Sequence, residues 1–214
     1  VPAFGETKIY GGGTFDAPLA QSDGSKNKSY LKTDYSQSYN VNTSLPTLIA
    51  PEAVGWSWSF DGTALDPETT NFGFTKSDIY QSYDSTIWQA SGVARLEGVI
   101  SRSYSSDKLG GGSYDTPLAA VDGSWSRSYT ETNYQGSYDV NGKIIRTHAP
   151  VVNNGYSLSF DGQKTYTRTN LTQVFNLVVW ATVGKTVIET TVAQSWSSDN
   201  SVDTTISDPG RGIV

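Results

Sequence analysis

The chain has 214 residues, a formal net charge of −6 and 17% charged residues, fewer than the roughly 25% of an average globular domain. An acidic surface repels phosphate and anionic lipid, which argues against nucleic acid and against adsorption on a membrane, and no apolar run approaches the roughly 20 residues of a membrane-spanning helix. There is no Cys, which excludes disulfides, thiol nucleophiles and thiolate metal sites.

In chain order, the first segment, residues 1–10, carries Phe4, Ile9 and Tyr10 among small and polar residues. The chain begins at Val1 and contains no Met. The expectation is a secreted or cell-surface protein whose signal peptide has been removed. Gly11 then opens a block that returns later. Aligned without gaps, Gly11–Pro51 and Gly110–Pro150 match at 20 of 41 positions. Gly55–Gly62 returns as Gly155–Gly162, and Trp88–Asp107 as Trp180–Asp199. Three blocks in one order at nearly constant offset mark a tandem duplication. The expected boundaries are an extension at 1–10, one copy at 11–107, a second at 108–200 and a tail at 201–214. Extra residues in the first copy fall in a loop near Leu65–Asn71.

Within each copy the periodicity is that of strands. Trp56, Trp58 and Phe60 alternate with Ser57 and Ser59, and Tyr156, Leu158 and Phe160 do the same. Each run stops at Asp-Gly, a turn signal. Tyr35, Tyr39 and Val41 are matched by Tyr134, Tyr138 and Val140, and Leu96, Ile100 and Tyr104 by Ile188, Val192 and Trp196. Val174–Val183 is apolar on both faces and reads as a central strand. No helical period is sustained over three turns. The expected fold is all-β: two tandem homologous β-sandwich domains, immunoglobulin-like or jelly-roll-like, of roughly seven strands each.

Candidate chemistry is sparse. The one His, His148, aligns with Ile49, so an apolar or half-buried place is expected for it rather than a catalytic one. No Gly-x-Ser-x-Gly is present, no pair of carboxylates is placed by a motif, and a zinc site cannot be built from one His. Calcium, which needs only oxygens, stays open at the recurring Asp-Gly turns. No cofactor and no catalytic residue are expected. Asn27, Asn42 and Asn170 head N-glycosylation triplets, of use only in a host that glycosylates.

Two functions fit these features. The first is a structural subunit of an extracellular filament, pilus or matrix, a homopolymer formed by β-strand exchange. Its candidate donor strands are the terminal segments, through Phe4, Ile9 and Tyr10 or through Val202 and Ile206. The alternative is a secreted carbohydrate-binding or adhesive module with duplicated sites. It would stack surface glycans on Trp125, Tyr129, Tyr134 and Trp196.

Overall fold

The structure, a computed structural model, describes residues 14–63 and 72–198. The protein is all-β, as its alternation implies. The strands are β1 (Lys26–Asp34), β2 (Glu52–Phe60), β3 (Phe74–Tyr83), β4 (Leu96–Ser105), β5 (Ser124–Asn133), β6 (Val151–Asp161), β7 (Tyr166–Phe175) and β8 (Ile188–Ser198). Two short helices interrupt them, α1 (Ser85–Ser91) after β3 and α2 (Leu177–Val183) after β7. The pattern of three strands, a helix and a strand thus occurs twice.

The eight strands form one antiparallel sheet in chain order, β1 to β8. This differs from the expected pair of sandwiches. Strands of 9–11 residues use up each copy in four passes, and no second sheet lies over the first among the described residues. The two copies are also not separately closed, because β4 pairs with β5 from Gly98↔Asn133 to Tyr104↔Arg127. The copies are halves of one sheet, and that pairing is the joint between them.

The aromatic face has a different cover. The connection between β4 and β5, Ser106–Gly123, crosses the sheet as a strap. Trp58 Nε1 donates to the Asp107 carbonyl at 3.0 Å. Lys76 Nζ donates to that of Gly110 at 3.1 Å, and Arg127 Nη1 to that of Tyr114 at 3.2 Å. Tyr114 is thereby pressed into a buried cluster with Tyr104, Tyr129 and Tyr156, against which Ile100 packs. A second cluster, Trp58, Phe60 and Phe74, lies in the first half.

Val174–Val183 does not form the expected central strand. The strand ends at Phe175, and Asn176 accepts from the Val179 N–H as the N-cap of α2. Gly184, at φ 67°, closes it. Asp84 and Gly92 do the same for α1. Each helix delivers one Trp, Trp88 or Trp180, to full burial. Trp88 Nε1 donates to the Ser38 carbonyl at 3.2 Å, and Tyr39 meets its ring edge-on at 5.0 Å. Tyr138 meets Trp180 likewise at 5.6 Å. Tyr35 and Tyr134 therefore belong to helix-docking corners rather than to strand faces, and Val41 is exposed. Leu177 and Val178 face outward.

The strand starts are tied by Asp-Gly turns. Gly162, at φ 83°, lies against the Asp122–Ser124 turn, and a Cβ there would stand 2.1 Å from the Asp122 carbonyl oxygen. Gly62 is held against Asp23–Ser25 in the same way. Only glycine fits this left-handed, crowded position.

Candidate functional site

Strand register sorts the sheet into two chemically distinct faces. On one, paired residues run across all eight strands as Ser29, Ser57, Ser77, Ser103, Ser128, Ser157, Thr169 and Ser195. Every position carries a hydroxyl. A second row holds Asn27, Ser59, Thr75 and Ser105 in the first half and Ser126, Ser159, Thr167 and Ser197 in the second. Neighbours bond within the rows, Ser77 to Ser103 at 2.7 Å, Thr169 to Ser195 at 2.8 Å and Thr167 to Ser197 at 2.9 Å. At Ser105, the hydroxyl accepts from the Ser126 N–H at 2.8 Å, which carries the row across the joint. The Ser-x-Ser alternation was visible in the sequence, but its continuity across strands is a property of register alone.

The opposite face holds the aromatics, interleaved with cations. Arg127 lies over Tyr114 at 5.1 Å, Arg168 over Tyr156 at 4.6 Å and Lys28 over Phe15 at 5.7 Å. Burial pushes the Tyr104 hydroxyl up to about 12, assisted by the nearby Asp78 carboxylate, so it stays a neutral phenol at any physiological pH.

The candidate stacking residues do not form one surface. Trp125 packs on Phe160 and Tyr166 at the turn end of β5 and β6. Tyr129 is fully buried beneath the strap, and Tyr134 stands in the corner made by Tyr138 and Trp180. Trp196 is partly exposed on β8. A shallow cleft of about 410 Å³ beside that corner is lined by Leu96, Tyr134, Tyr138, Trp180 and Lys185, among others. His148 is exposed, against the apolar or half-buried place expected for it. Among the described residues no group of three His, Asp or Glu is placed to hold a metal ion, and no helix is long and apolar enough to cross a membrane. Asn27 and Asn42 are exposed, whereas Asn170 accepts from Arg168 Nε at 3.1 Å. Phe4, Ile9, Tyr10, Val202 and Ile206 lie outside the described residues, as does the Leu65–Asn71 loop.

Among the described strands, β1 and β8 are the outermost. Their exposed aromatics and aliphatics include Tyr30 and Leu31 on β1 and Val192 and Trp196 on β8. No sequence signal tells an edge strand from a central one when all strands alternate alike, so which strands stand at the edge is visible only in the register.

No family model, no curated protein and no solved structure matches the chain.

Proposed function

We propose that this chain is an extracellular structural subunit that joins copies of itself by β-strand pairing into a filament or matrix. The observation that carries the reading is the internal joint. One four-strand unit already continues into the next by edge-to-edge pairing of β4 with β5, and among the described strands β1 lies at one end and β8 at the other. An outermost strand offers a row of backbone donors and acceptors to any strand of matching chemistry. The alternating aromatic and hydroxyl faces, low charge density and scarcity of titratable groups suit a building element better than a catalyst. Secretion accords with the same composition.

The reading departs from donor-strand exchange in one respect, since the pairing partners are whole edge strands. Electron microscopy of the purified protein beside light scattering tests it. Regular fibres or sheets are expected, and a uniform particle of 23.1 kDa at all concentrations would overturn the reading in favour of a monomeric glycan-binding module.

A further inference from the structure

Repeat-equivalent residues report what each end of the sheet lacks. Some equivalents match closely in burial, as Trp88 and Trp180 do at 1% exposure each and Ser38 and Ser137 at 1% and 0%. At the joint they do not. Tyr129, Tyr114 and Tyr104 are 1%, 5% and 3% exposed, whereas their equivalents Tyr30, Phe15 and Trp196 are 44%, 48% and 39% exposed. The first two of these lie at the β1 end and the third on β8. The buried cluster of Tyr104, Tyr114, Tyr129 and Tyr156 with Ile100 thus has its counterpart split between the two ends. Phe15, Tyr30 and Trp56 stand at one, and Val192 and Trp196 at the other.

We infer that β8 of one molecule pairs with β1 of a second copy in the register of the internal β4–β5 joint, so that Val192 and Trp196 close the Phe15–Tyr30–Trp56 cluster of the neighbour. This rests on the self-assembly reading and specifies its contact. Carrying the β4–β5 register over by the repeat offsets sets Ser195 opposite Ser29, Gln194 opposite Tyr30 and Trp196 opposite Lys28. The last pair repeats Tyr104 opposite Arg127, an aromatic facing a cation. The first hydroxyl row then runs on without a break into the next molecule, and the second continues from Ser197 to the Asn27 amide.

The β1 half is already shaped for this. The Thr14 N–H bonds the Ala17 carbonyl and the Ala17 N–H the Thr14 hydroxyl, both at 3.1 Å. The Ser113–Thr116 turn of the strap makes the same two bonds at the same length. Phe15 rests on Trp56 with centroids 5.7 Å apart. The Leu118 N–H bonds the Ser105 carbonyl at 3.0 Å, and its counterpart would run from Leu19 to Ser197 of the neighbour. The even number of described strands matters too. It sets β8 antiparallel to a β1 that keeps the same orientation, so copies add by translation along the sheet and the contact does not close on itself.

Not every contact of the internal joint has a counterpart: Arg102 lies over Tyr114 at 5.7 Å, where β8 carries the neutral Gln194. Arg95 Nε donates to the Gly142 carbonyl at 2.6 Å, and the residue in its place is Val187. The intermolecular contact is therefore weaker than the internal one, and assembly is reversible and concentration-dependent.

The native chain has no Cys, so engineered pairs report cleanly. Full-length Ser195→Cys and Ser29→Cys chains are mixed and mildly oxidised. Facing residues stand about 4.5–5.5 Å apart at Cα, within disulfide reach, whereas a partner two residues off is beyond it. A disulfide heterodimer is expected, and none when Leu31→Cys replaces Ser29→Cys. Trp196→Glu should abolish assembly while leaving the urea midpoint of the dispersed protein unchanged. Assembly without the facing disulfide, or with the shifted one, overturns this register and leaves the self-assembly reading standing. A monomer that never cross-links, as when the chain's own terminal segments cover the edges, overturns both.

Discussion

Equivalent residues in unequal surroundings offer a controlled comparison. Tyr30 and Tyr129 occupy the same place in their copies, yet only Tyr129 lies beneath the strap and a neighbouring strand. Tyr129→Ala removes a buried ring stacked on Tyr156 at 5.7 Å and should cost about 3–5 kcal/mol of stability, the range for large aromatic deletions in a core. Tyr30→Ala in the dispersed protein should cost under about 1 kcal/mol. Urea denaturation of both variants measures the difference. Comparable losses would mean that Tyr30 is packed in solution, by another molecule or by chain outside the described residues. The alternation that places Trp56, Trp58 and Phe60 on one face was legible from the sequence. Which of two identical tyrosines is buried was not, because burial depends on the element that crosses above.

At the scale of elements, the two helices were the part least legible. Leu177–Val183 is rich in Val, whose branched side chain favours strands, and the run is only two turns long. The signals that prevail are its ends, an Asn able to cap and a Gly able to adopt positive φ. Asp84→Ala should therefore destabilise the protein by about 1 kcal/mol, and Asn176→Ala by a similar amount, read from thermal or urea unfolding. A loss in Trp fluorescence anisotropy without unfolding would place the effect at the helix corner. The β6–β7 turn supplies a pH dependence. The backbone N–H groups of Gln163, Lys164 and Thr165 all bond Asp161 Oδ1 at 2.8–3.0 Å, which holds its carboxyl at about 2 against an ordinary 3.8. A depressed folded-state value means stability that is present above the ordinary value and lost as pH falls through the folded one. The melting temperature should fall between about pH 4 and pH 2, and Asp161→Asn should flatten that part of the profile.

For the whole molecule, the all-β character was legible from the sequence, and the single sheet was not. Alternation says that one face of a strand is apolar, not what lies upon it, and here a strap does part of the work expected of a second sheet. The joint between copies was hidden for a related reason. The connection from β4 to β5 spans Ser106–Gly123, far longer than a hairpin turn, so the sequence suggests separation where the strands in fact pair. Continued pairing has a measurable consequence. Strands about 4.7–4.9 Å apart give the eight described strands a span of roughly 38 Å along the sheet, and each copy's four half of that. If β8 takes the next β1 in the internal register, fibres should show strands perpendicular to their axis, with a subunit rise near 38 Å and a strong pseudo-repeat near 19 Å. Electron micrographs averaged along the fibre would yield both spacings. A rise much greater than this would mean that the subunits meet through their terminal segments with the sheet interrupted between them, whereas a rise near 38 Å without the half-spacing would mean that the two copies are not seated alike.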